Sequence, residues 1–398
     1  MNEGECTIMA MKLGEERGSC TRARPQPRQT ERILMIKSLH AENFKCFKEL
    51  DLSDLERVNV VVGKNATGKT VLLEAIRLAL GGTPNVLWTM NQARGFFAGV
   101  PQPITREIFE SLWSPYFFNF ETSNAIFMDC CDSEDHHATI RVFFDVQRPV
   151  TAIPQQLPQQ QPQQPQPVLP SSFIPPLAFE RSNFSDVKST LYASVQMQGG
   201  LNFDSGPELG SVTEIFPSSA WSFNAMLPAQ MFSQLSQQQR EKAIVDAVRD
   251  EFDRSLESLV VLAPAGAPVG LYVGLRYLRE KLPIGYLSAG ISRFIAMLSA
   301  VLIRGKGVVL IDEIENGISY KIFEPLWKYL LKFAVDNDTQ VFASTHSLEC
   351  VRALLPAMEG HEHEFTLLRA ERMNGSSAIT LVPGKFLESA IDQGVEVR

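Results

Sequence analysis

Eight residues constrain this chain more than any others: Gly63-Lys64-Asn65-Ala66-Thr67-Gly68-Lys69-Thr70, which fits G-x-x-x-x-G-K-[ST]. The flanking sequence supplies the strand, loop and helix that this motif needs. Val58-Asn59-Val60-Val61-Val62 precedes it as a buried strand. Residues 71–80 follow as a helix, with Leu72, Leu73, Ile76 and Leu80 on one face and Gly81-Gly82 as the stop. Glycines let backbone N–H groups turn inward around phosphate oxygens, and the helix N-terminus adds the positive end of its dipole. Gly63, Lys64, Asn65, Ala66, Thr67, Gly68, Lys69 and Thr70 are therefore the expected phosphate cradle. Lys69 is expected to reach the β- and γ-phosphates, and the Thr70 hydroxyl to bind Mg²⁺.

Two further strands end in chemistry. Val308-Val309-Leu310-Ile311 runs into Asp312-Glu313. In open α/β sheets ligands bind outside the carboxyl ends of the strands. Asp312 is expected to hold Mg²⁺, and Glu313 to orient or deprotonate a water beside the γ-phosphate. Glu315 reads as a polar loop contact. Val341-Phe342-Ala343 leads to Ser344-Thr345-His346-Ser347, where His346 would donate a hydrogen bond to the γ-phosphate or the attacking water. Leu287-Ser288-Ala289-Gly290 precedes an apolar helix over 291–303. Ser288 is a good N-cap, and with Gly290 it could present a hydroxyl and N–H groups to a phosphate. His361-Glu362-His363 lacks a third ligand and reads as an exposed loop.

Composition removes several classes. Of 398 residues, 44% are apolar and 21% charged, enough for a substantial core. No apolar run approaches the roughly 18–20 residues that span a bilayer, and the acidic start has no apolar segment behind it. A cytoplasmic protein without a membrane partner is expected. The net charge of −8 argues against a dedicated nucleic-acid coat. None of the six cysteines forms C-x-x-C, so reduced thiols are expected rather than a zinc site or a disulfide framework. Asp129, Asp132, Glu134 and Asp135 read as a solvated acidic loop.

Residues 1–31 mix charge, Pro and Gly without periodicity and read as a disordered leader. The rest, 32–398, reads as a single two-lobed head, with its first strand at 33–36 and others at 125–128, 139–144 and 271–275. The stretch 177–197 is ambiguous. A disordered insertion is expected at 150–176: between Pro154 and Pro170, six Pro and eight Gln fill 14 of 17 positions. Residues 236–259 read as one amphipathic helix through Ile244, Val248, Phe252, Leu256 and Leu259. No long heptad run predicts a coiled-coil arm.

The glycine loop, the Ser288-Ala289-Gly290 turn, the Asp312-Glu313 strand and the His346 strand, in the order they occur, resemble an ATPase of ATP-binding-cassette type. The closer resemblance is to soluble AAA-family ATPases of that type, related to the ATPase half of overcoming-lysogenization-defect nucleases and to structural-maintenance-of-chromosomes heads. Asn43-Phe44-Lys45-Cys46-Phe47 is similar to the N-F-[KR]-x-F segment of such heads, which implies that Lys45 lies near the nucleotide. The likeness covers roughly 33–82 and 259–355, about 150 residues. It implies a P-loop NTPase fold, an α/β head with an antiparallel β-subdomain and a helical signature lobe. It also implies ATP sandwiched in a homodimer or higher homo-oligomer, with Ser288 and Gly290 capping the partner's nucleotide. Closure would switch a separate effector protein, with anti-phage defence as the setting. Departures are Ala289, where many cassettes carry Gly, and Ser319-Tyr320, where His-Pro or His-Tyr is common. About 50 residues follow His346, so the metal-dependent nuclease domain of the lysogenization-defect enzymes is not expected. Two alternatives stay open: a DNA-binding ATPase of recombination or repair type, using Arg141, Arg148, Arg181, Lys188 and Arg240, and a non-hydrolysing nucleotide-gated scaffold.

Overall fold

Val58–Val62 is buried at every position. A strand buried on both faces belongs inside a parallel sheet, and the computed structural model has it there. The structure describes residues 35–95, 104–148, 150–151, 173–196, 200–215, 226–266, 269–373 and 375–392, which belong to a compact unit spanning 33–398. The expected leader and most of the expected Pro/Gln insertion lie outside the described residues.

The chain begins with a hairpin, β1 (Ile36–Phe44) and β2 (Phe47–Leu52), then β3 (Val58–Val62), α1 (Lys69–Gly81), α2 (Pro84–Ala93) and α3 (Arg106–Trp113). A second hairpin, β4 (Ile126–Asp132) and β5 (His137–Phe144), precedes the short pair β6 (Val150–Thr151) and β7 (Phe173–Ile174). Next come β8 (Leu177–Ser182), β9 (Lys188–Val195), β10 (Leu201–Phe203) and β11 (Val212–Ile215). Helices α4 (Met226–Gln237) and α5 (Glu241–Glu251) lead to β12 (Leu256–Leu262), β13 (Gly270–Leu275) and β14 (Leu282–Pro283). Then α6 (Ala289–Arg304), β15 (Val308–Ile311), α7 (Phe323–Asn337) and β16 (Gln340–Ser344) alternate. Helices α8 (Leu348–Arg352) and α9 (Leu355–Met358), strands β17 (Phe365–Met373) and β18 (Ser376–Pro383), and α10 (Leu387–Asp392) complete it.

Two large sheets organise these elements. One is antiparallel, in the order β10-β9-β8-β5-β4-β1-β2. The other runs β11-β15-β16-β3-β17-β18, parallel except for its last strand. Helix α1 lies between them: Leu72, Leu73, Ile76 and Leu80 share one core with Ile126, Ile140 and Phe179 of the antiparallel sheet and with Val61, Leu310 and Phe342 of the parallel one. Val60, Ile311 and Ala343 point the other way, into a second core with Phe232, Phe294, Leu298, Trp327 and Leu330 from α4, α6 and α7. The architecture is that of a P-loop NTPase with an antiparallel β-subdomain. None of the described helices is long and apolar enough to cross a membrane.

Several expectations shift. The described part of the first strand starts at Ile36 and runs to Phe44, so most of 33–36 falls outside it. The strands at 125–128, 139–144, 271–275 and 308–311 appear as β4, β5, β13 and β15, and the ambiguous stretch 177–197 resolves as β8 and β9. The single helix over 236–259 does not form. Ser236 and Gln237 end α4, α5 covers only Glu241–Glu251, and Leu256 and Leu259 lie on β12. The Asp253 carboxylate accepts the Ser255 N–H at 2.8 Å and its hydroxyl at 2.6 Å, a local turn that competes with the next helical turn. Phe252 still packs on Phe294, with ring centroids 5.1 Å apart, so the apolar spacing served two elements rather than one.

One buried amide joins the N-terminal hairpin to the parallel sheet. Gln340 accepts the Ile36 N–H at 3.0 Å and donates to the carbonyls of Ile36 at 2.9 Å and Glu56 at 2.8 Å. Gln340→Leu would remove the side-chain partner of the Ile36 N–H and carbonyl at a site 1% exposed, while the Glu56 carbonyl keeps the Asn59 amide at 2.6 Å. At roughly 1–3 kcal/mol per orphaned group, softened by relaxation, the variant is expected to lose about 2–5 kcal/mol in urea unfolding.

Candidate functional site

Strands β15, β16 and β3 are adjacent and parallel, so their carboxyl ends share one edge of the sheet. Each strand delivers one part of the site there: Asp312 and Glu313 after β15, Thr345 and His346 after β16, and the glycine loop after β3. Gly63 (φ 142°), Ala66 (φ 62°) and Gly68 (φ 108°) all take left-handed backbone. A Cβ on Gly63 would stand 2.3 Å from the Ala370 carbonyl oxygen, so the loop's first position admits only glycine. The Lys69 ammonium donates to the carbonyls of Gly63 at 2.6 Å and Lys64 at 2.9 Å, and so lies across its own loop. Burial pushes its pKa down, while the carboxylates of Asp312, Glu315 and Glu313 pull it back up.

Asp312 is buried and accepts from two hydroxyls. Thr70 donates to one carboxylate oxygen at 2.9 Å, and Ser344 donates to the other. Burial raises the Asp312 pKa, and both hydrogen bonds oppose the rise. Ser344 also accepts the Glu313 N–H at 2.9 Å, and Glu313 stands in left-handed backbone at φ 49°. From α6, Arg293 donates to the carbonyls of Asp312 at 2.7 Å and Glu313 at 2.8 Å. Asn316 donates to the Glu313 carboxylate at 3.3 Å. Both acids are therefore held at backbone as well as side chain. The oxygen set of Thr70 and Asp312 is hard and anionic, which suits Mg²⁺.

His346 is half-exposed. Its backbone N–H donates to Glu315 at 2.9 Å, and its ring Nδ1 lies 2.7 Å from the same carboxylate oxygen. With Gly63, Lys64, Asn65, Ser347 and Glu349 it lines an open cavity of about 400 Å³. Glu315 is 9% exposed and orients this imidazole, a larger part than a polar loop contact. Ser288 caps α6 as expected, accepting the Gly290 N–H at 3.1 Å. A Cβ on Gly290 would meet the Gly317 carbonyl oxygen at 2.5 Å, so this turn packs on the loop after Glu315. Neither Ser288 nor Gly290 lines the His346 cavity.

Lys45 lies in a different setting. Its ammonium is 2.6 Å from Glu74 of α1 and 4.4 Å from the centre of the Tyr116 ring, with the side chain 7% exposed. Burial lowers its pKa to about 8. Arg94 takes the other Glu74 oxygen at 2.7 Å. Sequence reading gave no role to Ser344, Arg293 or Glu74. Arg293 did leave a signal, as the single charge within the apolar run 291–303. The proposed basic face loses members. Arg181 is buried and donates to the Gly82 and Pro207 carbonyls, Arg240 bonds the Leu302 carbonyl and Asn337, and Arg141 pairs with Glu180 at 3.2 Å.

Two family models match the chain: "AAA ATPase domain" over residues 35–141 and "AAA domain, putative AbiEii toxin, Type IV TA system" over 179–352. An "ATP/GTP phosphatase" of Helicobacter pylori is 24% identical over 357 residues, which is 80% of this chain and 87% of that protein. An uncharacterized protein of Methanocaldococcus jannaschii is 41% identical over 46 residues, 12% of this chain and 21% of that protein. Among solved structures, the SMC head domain from Thermotoga maritima is similar with a TM-score of 0.43 and 12% identity, over 88% of this chain and 99% of that one.

Glu74→Leu is expected to cost about 3–5 kcal/mol in urea unfolding, because it leaves the buried Lys45 ammonium without its carboxylate. Combining it with Lys45→Met should restore most of the loss. A double variant as unstable as Glu74→Leu alone would show that the pair is not what holds this corner.

Proposed function

We propose that this chain, an ATPase with AAA-type domains, hydrolyses ATP with Lys69, Asp312, Glu313 and His346, and that ATP closes two heads to switch a separate effector. One observation carries the reading: the 2.9 Å hydrogen bond from Thr70 to Asp312, which ties the phosphate loop to the acidic strand end. On nucleotide entry the Lys69 ammonium leaves the Gly63 and Lys64 carbonyls and turns to the β- and γ-phosphates. The backbone N–H groups of 63–70 and the α1 N-terminus hold the remaining phosphate oxygens. Thr70 and Asp312 would hold Mg²⁺, which would neutralise phosphate charge. Glu313 takes a proton from the attacking water, and His346, held at Nδ1 by Glu315, turns its Nε2 into the site, where it donates to the γ-phosphate as the imidazolium or accepts from that water as the neutral ring.

Dimerisation is supported by the surface beside the signature turn. Tyr286 is 82% exposed and Tyr320 is 69% exposed, near Ser288 and Gly317 in sequence. Exposed tyrosines are common anchors of protein interfaces. In the closed dimer Ser288 and Gly290 leave their local contact and cap the partner's nucleotide. Effector switching fits the matched family description, which names a putative toxin of a type IV system, and a cytoplasmic phage-defence setting follows by analogy. The DNA-binding reading is weaker, because Arg181, Arg240 and Arg141 are already engaged.

Phosphate release tests the chemistry. Glu313→Gln should keep ATP binding, lose about 10²–10⁴-fold in turnover, and accumulate an ATP-dependent dimer by light scattering. Lys69→Ala should lose nucleotide binding. Full activity in Glu313→Gln would overturn the assigned base. Ser288→Arg should leave ATP binding to the monomer intact and abolish the dimer; an unchanged dimer would remove this turn from the interface.

A further inference from the structure

The outward face of the β4–β5 hairpin carries side chains that ATP hydrolysis does not use. Burial alternates along β4, so Asp129 and Cys131 face outward while Met128, Cys130 and Asp132 face in. The register sets His137 of β5 directly opposite Cys131. Such cross-strand neighbours hold their Cβ atoms about 5 Å apart. The turn then brings Asp135 back to the same face. Asp132 closes that turn by accepting the N–H groups of Glu134 at 2.8 Å and His136 at 3.0 Å.

As a result Cys131 Sγ, a carboxylate oxygen of Asp135 and a ring nitrogen of His137 all lie within 4.8 Å of one another. Cys131 Sγ is 3.5 Å from Asp135 Oδ1, and His137 Nε2 is 3.9 Å from the same oxygen. Bonds of about 2.0–2.3 Å in a tetrahedron put donor atoms roughly 3.2–3.8 Å apart, so a small inward movement would seat a zinc ion. The His137 Nδ1 is 2.8 and 3.0 Å from the two oxygens of Asp129. A carboxylate on one ring nitrogen fixes the tautomer and leaves the lone pair on the other, the outer support that metal-binding histidines commonly have. The donors are also selective. A thiolate with an imidazole favours zinc over Mg²⁺, so this site would not duplicate the one at Thr70 and Asp312.

We propose that Cys131, Asp135 and His137 bind a zinc ion on the outer face of the antiparallel sheet, with Asp129 orienting His137 and a fourth position open to water or a ligand. Spacing rules missed it because the ligands meet across a hairpin rather than along a C-x-x-C turn, and the acids read as solvated loop.

The test uses the full chain, stripped with chelator and free of nucleotide, titrated with Co²⁺ as a spectroscopic stand-in. One equivalent should bind with a thiolate-to-cobalt charge-transfer band, and Zn²⁺ should displace it. Cys131→Ser should abolish the band, Asp129→Asn should weaken binding about 10–100-fold, and both should keep the circular dichroism and ATPase rate of the parent. His137→Gln provides a second ligand variant should Cys131→Ser fold poorly. Absence of the band, or a band that survives in the folded ligand variant, would overturn the proposal.

Discussion

The buried carboxylate of Asp312 is the point on which the site depends. It accepts one hydroxyl from the helix that follows the glycine loop and another from the end of the neighbouring strand β16. Three segments far apart in the chain are thereby tied through one side chain. The cost of burying a carboxylate shows in its raised pKa, and the two hydroxyls offset part of it. Ser344 does a second job with the same oxygen, taking the N–H of Glu313 and holding that residue in left-handed backbone. Glu313 is therefore aimed by its main chain, and Asn316 holds one oxygen of its carboxylate at 3.3 Å.

The surrounding layers make such a site affordable. The parallel sheet is buried on both faces, by α1 and the antiparallel sheet on one side and by α4, α6 and α7 on the other. A one-residue slip of a strand would swap its side chains between the two cores and break the packing of both, so the carboxyl ends stay level. Arg293 extends that rigidity to the signature helix, since its guanidinium holds the carbonyls of Asp312 and Glu313. A shift of α6 would therefore have a direct mechanical route to the acid.

Much of this was legible in the chain itself. The five-residue strand, the loop, the helix with its glycine stop and the two strands ending in Asp312-Glu313 and Ser344-Thr345-His346 all stand where their local patterns put them. Local patterns suffice there because a run of β-branched residues and a helical apolar stripe each favour one backbone form. The helix over 236–259 failed for a related reason. Apolar spacing of three and four suits a helix, yet it also survives a break at Asp253, after which Leu256 and Leu259 serve a strand. Arg181 and Arg240 read as surface charges, since a residue type carries no record of the carbonyls that will bury it.

Sequence alone determined that this chain carries a phosphate loop and two acid- or histidine-tipped strands, because those depend on residue identity over a few adjacent positions. Tertiary structure alone decided that Thr70 and Ser344 converge on the Asp312 carboxylate while Arg293 holds the backbone carbonyls of Asp312 and Glu313, that Lys45 is drawn into a pair with Glu74, and that Cys131 faces His137. Those are distances between residues up to 242 positions apart, and they are set by strand order, register and side-chain burial, which no local window contains.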